Sequence, residues 1–153
     1  MKSVLLMATL LVSTSALAYE KIYLKRLLET NQCHHCTLDE APLNDKDLQG
    51  ADMSESSLKK INLQNSKLQG VWFTHSKMHE ANLEGADLRG ALMDYTHLID
   101  VNLKNANLDG AQMIFSDLSG ADLTGASMEG TSVRGIVLCD TTMPDGSIDN
   151  SGC

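Results

Sequence analysis

From Cys36 to Asp140 the chain places an apolar residue at every fifth position without a single insertion. Read in fives, the tract opens CTLDE, APLND, KDLQG, ADMSE and closes ASMEG, TSVRG, IVLCD. Its third position is Leu 14 times and Met 5 times across 21 units, and otherwise Phe73 or Val133. The first position is Ala, Ser, Thr, Cys, Val or Ile everywhere except at Lys46. The remaining charges of the tract fall on positions two, four and five. Self-similarity over this length marks a repeat architecture. A period of five matches neither helix nor strand, whose side-chain periods are 3.6 and 2. It describes a short extended piece followed by a corner, with two inward residues per unit.

These units resemble the tandem A(D/N)LxG-like motifs of the pentapeptide-repeat family, over residues 36–140. The resemblance implies an all-β solenoid, a right-handed quadrilateral β-helix with four units per coil and the third residue in the core. The tract would make about five coils, a rod of roughly 25 Å at the spacing of neighbouring strands. Columns twenty residues apart agree with that circuit: Gly50, Gly70, Gly90, Gly110 and Gly130 form one, and Asn62, Asn82 and Asn102 another. The glycine column predicts one corner with positive φ in every coil, as the third residue of a type II turn requires. Opposite charges also fall twenty apart, Lys60 with Glu80, Lys67 with Asp87, Glu84 with Lys104 and Arg89 with Asp109. Pro42 and Lys46 break the pattern, which moves the expected start of the regular coil toward Ala51.

Outside the repeats, MKS, an apolar run and an Ala16-x-Ala18 ending describe a signal peptide over residues 1–18. The run is too short for a membrane span, so none is expected after cleavage. Residues 19–35 read as an N-terminal cap, with a short helix presenting Ile22, Tyr23, Leu27 and Leu28 to the first coil. Residues 141–153 read as a capping tail with a Pro-Asp-Gly turn. Export places the protein outside the cytoplasm, in the periplasm, the medium or a thylakoid lumen. The formal charge of −8 argues against direct binding of nucleic acid.

Four cysteines allow three pairings. Cys33–Cys36 and Cys139–Cys153 put one local staple at each end of the rod, whereas the other pairings join opposite ends, beyond the reach of a disulfide. The run CHHC also invites zinc, haem or redox readings. Zinc needs ligands from separated stretches to build its tetrahedron. A c-type haem needs His after the second Cys, where Thr37 stands. A labile, redox-active Cys33–Cys36 bond remains an alternative to the staple. His34 and His35 read as exposed loop residues, and His75, His79 and His97 as surface histidines. No metal site and no cofactor is assigned.

The aromatic residues of the tract all fall on one side. Phe73 points inward. Trp72 and Leu92 point out, as do His75, Tyr95 and Phe115 at fifth positions, with Ile114 adjoining. An exposed apolar patch of this composition marks an interaction surface, for a macromolecular partner or for a second copy in a homodimer. No nucleophile–base pair, phosphate loop or paired inward carboxylates accompany it, so the expectation is a non-catalytic exported scaffold. Some members of the resembling family mimic duplex DNA and bind DNA gyrase, which makes a gyrase inhibitor or protector one alternative. A thiol-redox or metal-handling role for the CxxC is another.

Overall fold

The computed structural model describes residues 14–153, with side chains from residue 21 onward. The expected leader therefore lies largely outside the described residues. Helix α1 runs Thr14–Thr30 and is continuous across Ala18. It ends at Asn31, whose φ of 57° and N–H bond to the Leu27 carbonyl (2.8 Å) form a left-handed cap. Leu27 is fully buried, and Tyr23 and Leu24 pack on the same core. Ile22 and Leu28, expected on that face, are exposed instead. At helical pitch, residues 23, 24 and 27 share an arc of about 100° that residues 22 and 28 flank on either side. No helix among the described residues is long and apolar enough to cross a membrane.

The square circuit begins at Gln32, earlier than the expected start near Ala51. Parallel bridges join residues twenty apart, from Gln32↔Asp52, Thr37↔Ser57, Pro42↔Asn62 and Asp47↔Lys67 through to Asp122↔Thr142. Four such columns make the four sides. Pro42 fits because second-position N–H groups donate to the coil before, as Asn62 does to the Ala41 carbonyl (3.0 Å). In the first coil there is no coil before, so the missing N–H costs no bond. Lys46 stays exposed at the same end of the rod. The core is the line of third and first residues, with Leu63, Leu83, Leu103 and Phe73 fully buried.

Positive φ is not confined to the glycine column. Every fifth position from His35 to Asp140 adopts it, so all four corners turn the same way. The turn is closed by a first-position N–H bonding the preceding third-position carbonyl, as Ala81 does with Met78 (3.1 Å). Second-position Asp and Asn brace the turn by accepting the N–H two residues on, for example Asn82 from Glu84 (3.1 Å) and Asp117 from Ser119 (3.0 Å). First-position hydroxyls tie coils together. Ser76 is fully buried; it donates to the Met53 carbonyl (2.7 Å) and accepts the Ser56 N–H (3.2 Å). Thr96, Ser116 and Thr141 donate to the carbonyls of Phe73, Met93 and Leu118 in the same way.

At the C-terminal end, strand β1 (Thr141–Thr142) pairs antiparallel with β2 (Ile148–Asp149). Gly152 then donates to the Leu138 carbonyl (2.7 Å), so close that a Cβ there would stand 2.6 Å from the Leu138 nitrogen. The disulfides join Cys33 to Cys36 and Cys139 to Cys153. The tail covers only part of the last coil. Val133, expected in the core, is 40% exposed, because residues 141–153 stack no coil on that side.

Candidate functional site

One side of the square carries units 31–35, 51–55, 71–75, 91–95, 111–115 and 131–135. Their fifth positions form the column His35, Glu55, His75, Tyr95, Phe115 and Gly135. Within it the His75 and Tyr95 rings stack with centroids 4.9 Å apart and planes 10° from parallel. Tyr95 stacks in turn on Phe115 at 5.4 Å and 25°. The spacing is set by the backbone, since consecutive coils lie about 4.8 Å apart and a planar ring fills that interval. All three rings hang from left-handed residues, with φ between 55° and 60°. That conformation disfavours a side chain by about 1–2 kcal/mol, and stacking returns about 0.5–1.5 kcal/mol per pair.

Tyr95 and Phe115 are each about half exposed, at 47% and 50%, and His75 is exposed as well. Ile114 is half-buried, and its N–H is held by the Asp94 carboxylate (2.8 Å). Trp72 is 51% exposed on a separate, second-position column, bridged to Leu92 on one side and Asp52 on the other. Five of the six residues expected on this face thus fall in two columns, a ring stack and a Trp72–Leu92 step, and Ile114 stands at a fourth position between them. Two contributors escaped sequence reasoning. Arg134 lies over the Phe115 ring, 5.9 Å from its centroid. Glu55 heads the ring stack and faces His34 and His35. Counting twenty residues along from His35 would have found Glu55.

His79 and His97 lie on another side of the square. They meet edge to face, with ring centroids 5.9 Å apart. Of the four expected vertical charge pairs, only Lys60–Glu80 forms an ion pair (3.5 Å). Lys67 turns to Asp47 (3.5 Å), Arg89 to Asp87 in its own unit (2.7 Å), and Lys104 to Asp122 (3.1 Å). Glu84 accepts from Asn102 instead. The two fourth-position bases, Arg89 and Lys104, thus each take a second-position carboxylate in place of the fourth-position partner one coil away. The Arg89 side chain bonded to Asp87 holds that carboxyl below the usual carboxylate range.

The pentapeptide-repeat profile matches residues 32–70, 56–94 and 96–135, in 8 copies. With bridges at every twentieth residue and a turn at every fifth, the chain belongs to the pentapeptide-repeat family, whose members form right-handed quadrilateral β-helices. Among solved structures it is similar to a pentapeptide repeat protein (Rfr23) from the cyanobacterium Cyanothece 51142, at 28% identity and a TM-score of 0.74, covering 76% of this chain and 92% of that one. It is also similar to a pentapeptide repeat protein from the Arabidopsis thaliana thylakoid lumen, at 27% identity and a TM-score of 0.66, covering 67% of this chain and 72% of the other. Full-length QnrB1, a plasmid-mediated fluoroquinolone resistance protein, shares the fold at 22% identity and a TM-score of 0.53, covering 76% of this chain and 66% of that one. No curated protein matches by sequence.

Proposed function

We infer that the chain is a non-catalytic scaffold that binds a macromolecular partner, or a second copy of itself, through the face carrying Trp72, Leu92, His75, Tyr95, Phe115 and Ile114. The observation that carries this reading is the solvent-facing stack of His75, Tyr95 and Phe115. Rings held in register on left-handed corners, where glycine would be less strained, point to a use beyond folding. Tyr and Trp are the residue types that dominate binding energy at interfaces. A hollow of about 390 Å³ between α1 and the first coil is lined by Lys21, Leu24, Asp39 and Pro42 among others, with no nucleophile beside a base.

In this reading α1 caps a β-helix of about five coils beginning at residue 32, and residues 141–153 close the far end in part. The two disulfides and the likeness to a thylakoid-lumen protein support a place outside the cytoplasm, where such bonds persist. Trp72→Ala and Tyr95→Ala, assayed for partner capture from an extracytoplasmic fraction and for oligomer size, test it. Loss of either property supports the face, and unchanged behaviour in both variants removes it.

The gyrase-directed alternative is compatible with the net charge of −8. It is weakened by the cations set among the carboxylates, as at Lys60–Glu80, Lys67–Asp47 and Lys104–Asp122. These interrupt any phosphate-like row.

A further inference from the structure

We propose that the N-terminal end of this face is a binding site for a divalent transition-metal ion of the zinc class, with His34, His35 and Glu55 as ligands. Among the described residues these three form the one group of His, Cys, Asp and Glu whose donor atoms converge, all within 4.8 Å of one another. His34 Nε2 stands 3.9 Å from one Glu55 oxygen, and His35 Nδ1 stands 3.5 Å from the other. The donor edges of a tetrahedral zinc centre are about 3.3 Å for bonds near 2.0 Å. The set is slightly open, and rotation of exposed side chains closes it.

The ligands come from separated stretches of chain, as a tetrahedron needs. His34 and His35 belong to the first coil, and Glu55 stands one coil later, directly in line with His35. The pair of histidines is held from behind. The Cys33–Cys36 disulfide spans them, and Arg26 on α1 donates to the His34 carbonyl (3.4 Å) and to Cys36 Sγ (2.8 Å). The two imidazoles consequently share one side of the loop, with centroids 3.8 Å apart.

In the neutral, metal-binding form of His34 the tautomer follows from its partners. Ser54 Oγ lies 2.5 Å from Asp52 Oδ1, and a carboxylate only accepts, so the Ser54 hydroxyl donates its proton there. Ser54 Oγ is then an acceptor for His34 Nδ1–H at 2.8 Å. That leaves the Nε2 lone pair bare on the side facing Glu55. A metal-ligating histidine whose other ring nitrogen is held by a hydrogen bond is the usual second layer of such a site. Two imidazoles and one carboxylate suit zinc, nickel or copper, whereas calcium and magnesium take oxygen ligands. Three protein ligands leave the fourth position to water. Lys59 and Lys77 line the adjoining hollow of about 330 Å³, and their charge opposes the ion while Asp52 and Glu55 favour it. The cysteines take no part while they are bonded to each other.

Calorimetric titration of the full chain, both disulfides intact, with Zn²⁺ tests the site. One ion per chain is expected. Glu55→Gln and His35→Ala should each weaken binding by at least roughly tenfold, and Ser54→Ala by about tenfold through the orientation of His34 alone. His79→Ala, which removes the other histidine pair, should leave binding unchanged, and circular dichroism melts of each metal-free variant identify any that misfold. The proposal is overturned if the intact chain shows no saturable binding, if folded Glu55→Gln binds as tightly as the parent, or if binding appears only after the disulfides are reduced. None of these outcomes bears on the ring stack as a partner face.

Discussion

The ring of Phe115 occupies the space in which a Cβ on Gly135 would have to stand. A methyl group built there would lie 2.5 Å from Phe115 Cδ1 and 2.6 Å from Cε1. The ring stack that starts at His75 therefore ends by lying down on a glycine, and Arg134 closes over its outer side. Gly135 and Gly90 have similar φ values, 69° and 65°, but a Cβ on Gly90 would meet nothing within 4 Å. Gly90→Ala consequently carries only the left-handed penalty of about 1 kcal/mol. Gly135→Ala carries that plus displacement of Phe115, and should destabilise by a further ~1 kcal/mol or more. Thermal denaturation of the two variants measures the difference. Equal losses would show that Phe115 is free to leave the glycine.

Ser76 ties two neighbouring coils together through one hydroxyl, by way of Met53 and Ser56. Removing it orphans a buried carbonyl and a buried N–H, which ordinarily costs about 1–3 kcal/mol. The fold offers a partial remedy. Where the first position of the next coil is alanine, the N–H closes its own turn instead, as Ile61 does with the Leu58 carbonyl below Ala81 (3.3 Å). Ser76→Ala should thus fall at the low end, near ~1 kcal/mol, while Ser76→Val, which adds bulk and keeps no acceptor, should cost more. Chemical denaturation midpoints order the three proteins.

The sequence made the circuit legible because a solenoid writes its register into every unit. Leu63, Leu83 and Leu103 declare both the inward position and the twenty-residue stack. What escaped was whatever depends on the ends or on reach across coils. Lys46 and Pro42 look like defects in the pattern, yet the first coil has no neighbour to disappoint. Val133 has the right position for the core and no coil above it. Lys67 has an acid at each side in its column and pairs with Asp47, while Asp87 is engaged by Arg89 and Gln69. The positive φ at Tyr95 and Phe115 was hidden because aromatic residues there give no warning of a left-handed corner. Glu55 was hidden for a different reason, in that CHHC was read along the chain instead of up the column.

Acid should weaken the fold through its outward-facing, hydrogen-bonded carboxylates. Asp87 is held below its usual range first by the Arg89 side chain, and Asp47 by hydrogen bonds to Gln49. Asp109 is lowered through Ser127 and the Glu129 N–H. A carboxyl whose folded value is depressed binds protons less readily than in the unfolded chain. Its contribution is complete above the unfolded value of about 3.9 and is lost as pH falls below that value. Melting temperature should be level through this group's neutral range and drop below about pH 4. Asp87→Asn should lower stability at pH 7 and flatten the acid limb. An acid limb of unchanged steepness in that variant would remove Asp87 from the explanation.

The two disulfides should differ in what they hold. Cys139 and Cys153 close a loop with a sequence separation of 14, whereas Cys33 and Cys36 are separated by 3. On the chain-entropy account these loops contribute about 3 and about 2 kcal/mol respectively. The first also tethers the segment through which β2 pairs with β1 and Gly152 reaches the Leu138 carbonyl. A Cys139→Ser, Cys153→Ser double variant should therefore lose amide-exchange protection across 141–153 and around Leu138, while the bridges of the middle coils keep theirs. A Cys33→Ser, Cys36→Ser variant should lose protection at the junction of α1 with Gln32 instead, since Arg26 and the buried Cys36 thread that contact. Uniform loss along the whole rod in either variant would mean that the coils unfold as one unit and that the staples act globally, contrary to the nearest-neighbour behaviour expected of a stacked repeat.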